Sequence, residues 1–312
     1  MGSSRWSDDH YEAKKLCRAS TSTPTFAYDA DVKSGKTSCK VHESLDPKGV
    51  LFRESCDSAT HPNSRAVVVL FDVTGSMHTV PQVMQKKLPQ LMGLLLRHGY
   101  LDSPHILVGA IGDATCDWAP LQVGQFEAGI EIENDLTNIY LEGGGGGQNT
   151  ESYELALYFM ARHTKIDCFD KRGEKGYLFV IGDEMPYPNV NRREADGVIG
   201  DKLQDEIRVE TIIEELKQRY EVYYILPNMT SNYNDPKIFE RWKTLLGQSA
   251  MRMEDPEGVA ELIAGIIGLM EGKVDSGDLE EELVEAGASR SLACAVTGAL
   301  AVVESSRTIA KK

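Results

Sequence analysis

Four short apolar runs recur along the middle of the chain, at residues 66–71, 106–111, 177–181 and 222–226. The first reads Ala-Val-Val-Val-Leu-Phe, with no polar residue to mark an exposed face. A continuous run of this length, rich in β-branched residues, is typical of a strand buried on both faces of a parallel sheet. The pattern therefore predicts four buried strands.

Segments with helical spacing of apolar residues lie between and after these runs. Residues 80–96, for example, carry Val80, Met84 and Leu88 about one helical turn apart. Further helices are predicted at residues 153–162, 205–219, 236–246 and 256–270. Strands that alternate with helices imply crossover connections. We expect an α/β fold at residues 64–272, with a Rossmann-like, doubly wound, mostly parallel sheet and helices on both faces.

The two ends of the chain have a different composition. Residues 1–63 are rich in Ser, Thr, Asp and Lys and have few apolar runs, which indicates an N-terminal extension. A turn signal at Ser34 and Gly35 predicts a β-hairpin within residues 26–41. Residues 273–312 begin with an acidic stretch and continue with many small residues, which predicts an acidic linker followed by a C-terminal helical tail.

The charge of the chain limits its partners. There are 33 Lys and Arg against 48 Asp and Glu, a net charge of −15, which disfavours binding to nucleic acids and anionic membranes. The six cysteines are scattered without a Cys-x-x-Cys pair, a pattern typical of free thiols in a reducing cytosol. The longest apolar stretch, at residues 292–303, is about 12 residues and a bilayer needs about 20. We therefore expect a cytoplasmic protein with no nucleic-acid or membrane partner.

Side chains that carry oxygen follow the predicted strands. Asp72, Thr74 and Ser76 come at alternate positions directly after the first apolar run. Thr150 precedes a predicted helix, and Asp183 comes directly after the third apolar run. Ligands of open α/β sheets bind beyond the carboxyl ends of the strands, so we expect these residues to lie together. Hydroxyl and carboxylate oxygens without a thiol or imidazole suit Mg²⁺, Mn²⁺ or Ca²⁺.

The motif Asp72-x-Thr74-x-Ser76, followed by Thr150 and then by Asp183, resembles the metal-ion-dependent adhesion site (MIDAS) of von Willebrand factor A domains. By this resemblance, Ser76 would coordinate a divalent cation directly, and Thr74 directly or through water. Asp72 and Asp183 would act mainly through water, and Thr150 would join when a partner binds. The resemblance implies that an Asp or Glu of a partner protein completes the coordination.

The resemblance covers about residues 66–272. The run Phe-Asp-Val-Thr-Gly-Ser-Met at residues 71–77 is typical of intracellular bacterial and phage members. Such members often serve as adaptors for a larger assembly, including AAA+ ring ATPases. The resemblance therefore implies a cytoplasmic, non-enzymatic interaction module of bacterial type.

Three features depart from the family pattern. Gly182 and Glu184 flank Asp183, where many members have Thr-Asp-Gly. Residues 143–147 are all glycine, which fits either a mobile surface loop or a loop that flanks the site. Residues 185–204 read as an insertion beside the site, in a position to influence the choice of partner.

A second interpretation of the same motif is enzymatic. The run after the first strand also resembles the nucleophile loop of haloacid-dehalogenase-like phosphotransferases, in which Asp72 would attack phosphorus with Mg²⁺ bound nearby. That chemistry needs a lysine to stabilise charge. The candidates are Lys165, Lys171 and Lys175, none of which has a distinctive sequence context.

Overall fold

A computed structural model describes residues 5–21, 23–24, 26–38, 41–144, 147 and 149–310 of the chain. Within these residues the strands are β1 (Arg53–Ser55), β2 (Ser64–Asp72), β3 (Ser103–Ile111), β4 (Leu121–Val123), β5 (Thr150–Glu151), β6 (Thr164–Ile166), β7 (Gly176–Ile181), β8 (Met185–Pro186), β9 (Asn189–Val190), β10 (Ile207–Arg208), β11 (Tyr220–Pro227) and β12 (Ala250–Met253). The α-helices are α1 (Asp8–Thr21), α2 (Ala27–Lys33), α3 (Val80–Arg97), α4 (Glu131–Asn138), α5 (Tyr153–Arg162), α6 (Asp167–Arg172), α7 (Arg192–Glu194), α8 (Val209–Arg219), α9 (Pro236–Leu246), α10 (Val259–Met270), α11 (Ser276–Glu285) and α12 (Arg290–Ala310).

The centre of the fold is a six-stranded sheet in the order β12-β11-β7-β2-β3-β4. Neighbouring strands are parallel except β4, which runs antiparallel to β3. Phe71 near the end of β2 lies beside Ile181 of β7, and Asp72 lies beside Ile111 of β3. The carboxyl ends of the three central strands therefore meet at one edge of the sheet.

Both faces of this sheet are covered, which explains the uninterrupted apolar run of β2. Alternate residues such as Val67 and Phe71 enter a core with apolar residues of α3, α4 and α10. The intervening Val68 and Leu70 enter a second core with residues of α5, α8 and α9. A strand with a core on each side has no solvent face, so a polar alternation would be unfavourable. The predicted doubly wound, mostly parallel α/β fold is confirmed.

The residues before β2 pack against the sheet and its helices. β1 pairs in parallel with β6, Leu45 is buried in the main core, and Arg18 of α1 forms an ion pair with the buried Glu133 of α4. At the other end of the chain, Leu300 of α12 is buried in the same core. The limits at residues 63 and 272 stay a prediction, since both flanking segments contact the central fold.

The predicted hairpin near Gly35 is wrong, because the structure has helix α2 there. Asp29 and Lys33 form an ion pair one helical turn apart at 2.9 Å. Gly35 ends the helix with a φ of 77° and donates its backbone N–H to the carbonyl of Val32. Glycine with this backbone is common just after a helix, so the apparent hairpin turn is a helix stop.

The predicted insertion lies beside the carboxyl edge of the sheet. Its first strand, β8, pairs with β5, so Thr150 is opposite Met185. The insertion continues through β9, α7 and a π-helical turn at Ala195–Ile199, and β9 pairs in antiparallel orientation with β10, which lies just after residue 204. Across the described residues, no helix combines the length and apolar character needed to cross a bilayer.

Candidate metal centre

The loop after β2 folds around the carboxylate of Asp72. This side chain is fully buried, and its Oδ1 accepts hydrogen bonds from the backbone N–H of Thr74 at 2.8 Å and from the Thr74 hydroxyl at 2.6 Å. A short 3₁₀ turn, Gly75–Met77, follows at once. Ser76 is thereby presented on the same side as Thr74, with 3.4 Å between the two hydroxyl oxygens.

Asp183 lies next to this loop because β7 is the neighbour of β2. The Ser76 hydroxyl donates to Oδ1 of Asp183 at 2.6 Å, and Oδ2 of Asp183 accepts from the backbone N–H of Asn232 at 3.0 Å. Asp183 is fully buried. Hydrogen bonds therefore connect four of the five predicted site residues, namely Asp72, Thr74, Ser76 and Asp183.

Thr150, the fifth predicted residue, lies at the same edge of the sheet but outside this chain of hydrogen bonds. Its half-buried side chain is within hydrogen-bonding reach of the Tyr187 hydroxyl. Within the described ranges, no hydrogen bond joins Thr150 to the other four residues. Its participation in a metal site stays a prediction.

Two residues of the glycine run contact the site loop. The N–H of Gly75 donates to the carbonyl of Gly144 at 2.7 Å. A Cβ at residue 75 would lie 2.9 Å from that carbonyl oxygen and 3.1 Å from the carbonyl oxygen of Gly143, so only glycine allows this approach. Of the two interpretations of the run, the structure favours the site-flanking loop for Gly143 and Gly144. Gly145, Gly146 and Gln148 lie outside the described residues.

Tyr153 is a site residue that the sequence did not reveal. It is buried at the start of α5, and its hydroxyl donates to Oδ2 of Asp72 at 2.5 Å. A Cβ at residue 182 would clash with the ring and hydroxyl of Tyr153, so Gly182 makes room for this contact. The Gly182 carbonyl in turn accepts a hydrogen bond from Tyr224 at 2.7 Å. The departure from the family pattern at residue 182 was the available signal.

The ionised form of each carboxylate in the site is electrostatically unfavourable. Burial, and then the charge of Asp183, raise the pKa of Asp72 to about 7, and burial raises the pKa of Asp183 as well. The neighbouring Glu151 and Glu184 are also buried, and burial followed by the charge of Asp72 raises the pKa of both. Removal of a carboxylate from water destabilises its ionised form when no positive charge lies nearby.

The residues of the site fit a divalent cation. In the part of the chain that the structure describes, no Lys or Arg forms an ion pair with Asp72, Asp183, Glu151 or Glu184, and Oε2 of each glutamate is buried without a hydrogen-bond partner. No three His, Cys, Asp or Glu side chains of these residues converge to hold a metal by themselves. An ion here would therefore depend on the Ser76 hydroxyl and on water, as hard oxygen donors suited to Mg²⁺.

The geometry does not favour the phosphotransferase interpretation. The three candidate lysines contact other groups: Lys165 lies over the ring of Phe52, Lys171 pairs with Asp167, and Lys175 pairs with Glu221. Lys175 directly precedes β7, at the end of the sheet opposite to Asp72. None of the three is placed to stabilise a phosphoryl group on Asp72.

Comparison with known proteins finds similarity at the level of structure. No protein-family profile matches the chain, and no curated protein sequence is significantly similar to it. The pilus adhesin SpaC from Lactobacillus rhamnosus GG, in its open conformation, is 10% identical over 70% of this chain and 30% of its own, with a TM-score of 0.45. A von Willebrand factor type A structure from Catenulispora acidiphila is 13% identical over 67% of this chain and 43% of its own, with a TM-score of 0.44. Proximal thread matrix protein 1 from the mussel byssus is 11% identical over 69% of this chain and 49% of its own, with a TM-score of 0.44. This chain spans less than half of the length of each of these three structures.

Proposed function

We propose that the chain is a metal-dependent protein-interaction module of the von Willebrand factor A type. A divalent cation, Mg²⁺ or alternatively Mn²⁺ or Ca²⁺, is held by Asp72, Thr74, Ser76, Thr150 and Asp183. The bound ion supplies an electrophilic position that accepts a carboxylate oxygen from an Asp or Glu of a partner protein.

One observation carries the proposal. Two fully buried carboxylates, Asp72 and Asp183, are joined through the hydroxyls of Thr74 and Ser76 at adjacent strand ends, and no cationic side chain of the described residues forms an ion pair with them. A folded protein rarely retains buried acids of this kind without a counter-charge. A divalent ion is the counter-charge that fits the oxygen donors.

The surrounding residues determine how each ligand would act. Both oxygens of Asp72 already accept hydrogen bonds, from Thr74 and from Tyr153, which orients this carboxylate and leaves it to act mainly through water. An ion that few carboxylates coordinate directly retains most of its positive charge. Tyr153 is thus a positioning residue for Asp72.

Metal titration tests the ion site directly. Mg²⁺ and Mn²⁺ are titrated by calorimetry into chain treated with EDTA, beside Asp72→Asn and the control Asp135→Asn. Asp135 is a suitable control because burial also raises its pKa to about 7. We expect binding by the wild type and the control, and at least tenfold weaker binding by Asp72→Asn. Equal binding by all three chains, or none by the wild type, would contradict the metal site.

The partner proposal rests on the resemblance to intracellular bacterial members. We infer a cytoplasmic assembly component, such as an AAA+ ring ATPase, that offers one acidic residue to the ion. The test is capture from bacterial lysate in Mg²⁺ and elution with EDTA, with Asp72→Asn in parallel. A protein eluted from the wild type and absent from the variant supports the proposal, whereas identical eluates contradict it.

A further inference from the structure

Backbone strain concentrates beside the candidate metal centre. Among the described residues, His78 and Met229 are the only non-glycine residues with positive φ, at 50° and 69°. His78 follows the site loop, and Met229 lies in the loop after β11. A residue with a Cβ adopts this backbone at an energetic cost, and such residues tend to cluster at functional sites.

The two strained segments are bonded to each other and to the site. The backbone N–H of Ser231 donates to the carbonyl of Ser76 at 2.9 Å, and the Ser231 hydroxyl is 3.0 Å from Nε2 of His78. The next residue, Asn232, donates its N–H to Asp183. The loop that carries Met229 is therefore anchored directly on two predicted ligands.

The side chain of Met229 projects from this anchored loop with 63% of its surface exposed. The Asn228 side chain accepts the N–H of Met229 at 2.8 Å, and the Thr230 hydroxyl donates to the carbonyl of Pro227 at 3.0 Å, so the turn is held from both sides. Glycine or asparagine would suit this backbone better. A strained, exposed methionine gives the described chain neither good backbone geometry nor burial, which favours a role in contact with another molecule.

Trp118 is a second exposed apolar residue at this edge of the sheet, with 74% of its surface exposed. Its loop follows β3, and bonds on either side of Trp118 hold it: Asp117 accepts the N–H of Asp113 at 2.7 Å, and Glu142 accepts the N–H of Ala119. The strand order β11-β7-β2-β3 places the loops of Met229 and Trp118 on opposite sides of the end of β2. At strand spacings near 4.8 Å, the two loops begin roughly 15 Å apart.

We propose that Met229 and Trp118 select a partner in which the metal-binding acid lies between apolar side chains. This inference deepens the proposed function and rests on it. Trp and Met are enriched in protein interfaces, and methionine adapts its shape to a contact. Charge supports the same chemistry, because the acids at this edge and the net charge of −15 would repel a partner with further acidic residues beside the first.

Selection from a random peptide library displayed on phage tests the inference with the full chain. The chain is immobilised in Mg²⁺, and bound phage are eluted with EDTA. We use the wild type, Met229→Gly, Trp118→Ala and the control Leu51→Ala. Leu51 is 73% exposed, and its carbonyl contacts His163 at the far end of α5, away from the site. Met229→Gly also removes the backbone strain, so loss of folding does not confuse its result.

We expect the wild type and Leu51→Ala to enrich peptides with one Asp or Glu next to large apolar residues. Met229→Gly and Trp118→Ala should keep the acid but lose the apolar preference, and should bind the wild-type peptides about tenfold more weakly. Enrichment of an acid without apolar neighbours, or an unchanged preference in both variants, would overturn this inference alone. Peptides without an acid, or binding that EDTA leaves intact, would overturn the proposed function and this inference with it.

Discussion

The two ends of the central sheet treat buried charge in opposite ways. At the amino end, two acids have arginine partners: Arg65 binds Glu271 at 2.8 Å, and Arg172 binds Asp57 at 2.6 Å. Burial alone would raise the pKa of Asp57, but hydrogen bonds from Arg172 and Ser64 bring it below its ordinary value. The ionised carboxylate is the favoured form there.

At the carboxyl end, burial acts without such compensation. Asp72 is even less exposed than Asp57, and its hydrogen-bond donors are the neutral groups of Thr74 and Tyr153. Burial therefore dominates and raises the pKa of Asp72 to about 7. Acids at both ends are shielded from water, partly at the amino end and fully at the carboxyl end, and a neighbouring cation is present only at the former among the described residues. One end obtains its cations from the chain, and we propose that the other obtains one from solution.

The largest expected effect is a loss of stability at low pH, and it comes from His105 at the amino end of the sheet. Burial, and then the nearby His61, lower the pKa of His105 to about 4, and its buried Nε2 has no hydrogen-bond partner among the described residues. The unfolded histidine takes up a proton near pH 6.5, whereas the folded one resists until about pH 4. Stability from this group is therefore complete above pH 6.5 and is lost as the pH falls towards 4, by about 3 kcal/mol.

The measurement is urea denaturation of the wild type and His105→Asn between pH 4 and 7. The asparagine amide can replace the contact between Nδ1 and the Ser55 hydroxyl, which is 3.1 Å long. We expect the stability difference between the two proteins to shift in favour of the variant as the pH falls. Parallel curves over the whole range would show that His105 is not the group involved.

Magnesium should stabilise the carboxyl end through the same charges. At a concentration one hundred times its Kd, a cation that binds only the folded state adds about 2.7 kcal/mol to the free energy of unfolding. Denaturation in Mg²⁺ and in EDTA measures this gain, which Asp72→Asn should reduce by half or more at the same Mg²⁺ concentration. In EDTA at pH 8, Asp72→Asn should be at least as stable as the wild type, because a carboxylate with a raised pKa is charged there at a cost. Severe destabilisation by Asp72→Asn in EDTA would be inconsistent with an uncompensated charge.

Removal of a cationic side chain from the amino end should lower the free energy of unfolding, whereas addition of Mg²⁺ at the carboxyl end should raise it. Arg172→Met leaves the half-buried Asp57 without its main partner and removes a hydrogen bond to the carbonyl of Ser64. Because both side chains of the pair retain some exposure, we expect a loss of roughly 2 kcal/mol, below the range for a fully buried pair. The matched control is Lys171→Met, whose exposed ammonium should contribute little to thermal stability. Similar melting temperatures for both variants would remove the distinction between the two ends.

The smallest effect concerns backbone strain beside the site. Met229→Gly should raise the free energy of unfolding by roughly 0.5 to 1 kcal/mol, because glycine accepts a positive φ without a steric penalty. Leu51→Gly serves as control, since an exposed leucine with ordinary backbone gains nothing and becomes more flexible when unfolded. Chemical denaturation of both variants gives the comparison. A destabilised Met229→Gly would mean that the methionine side chain packs within the chain.

Local pattern and long-range packing contributed differently to what could be predicted. The strands were predictable because a strand with two buried faces needs an uninterrupted apolar run, as in β2. Asp72 and Asp183 were predictable as neighbours because parallel strands end at the same edge of a sheet. The hairpin prediction around Gly35 is wrong because the same glycine can close a hairpin or end a helix.

By itself, the amino-acid sequence determined the α/β class and the set of oxygen donors that follow β2 and β7, because both depend on short-range order along the chain. Only the tertiary structure decided that Tyr153 reaches Asp72 across Gly182 and that Glu151 and Glu184 are buried beside them. It also decided that the loop with the strained Met229 is bonded to Asp183 through Asn232. These contacts join residues far apart in the chain, and no local pattern encodes the distance between them. The pKa of each acid follows from the same contacts, because burial and neighbouring charge exist only after the strands have come together.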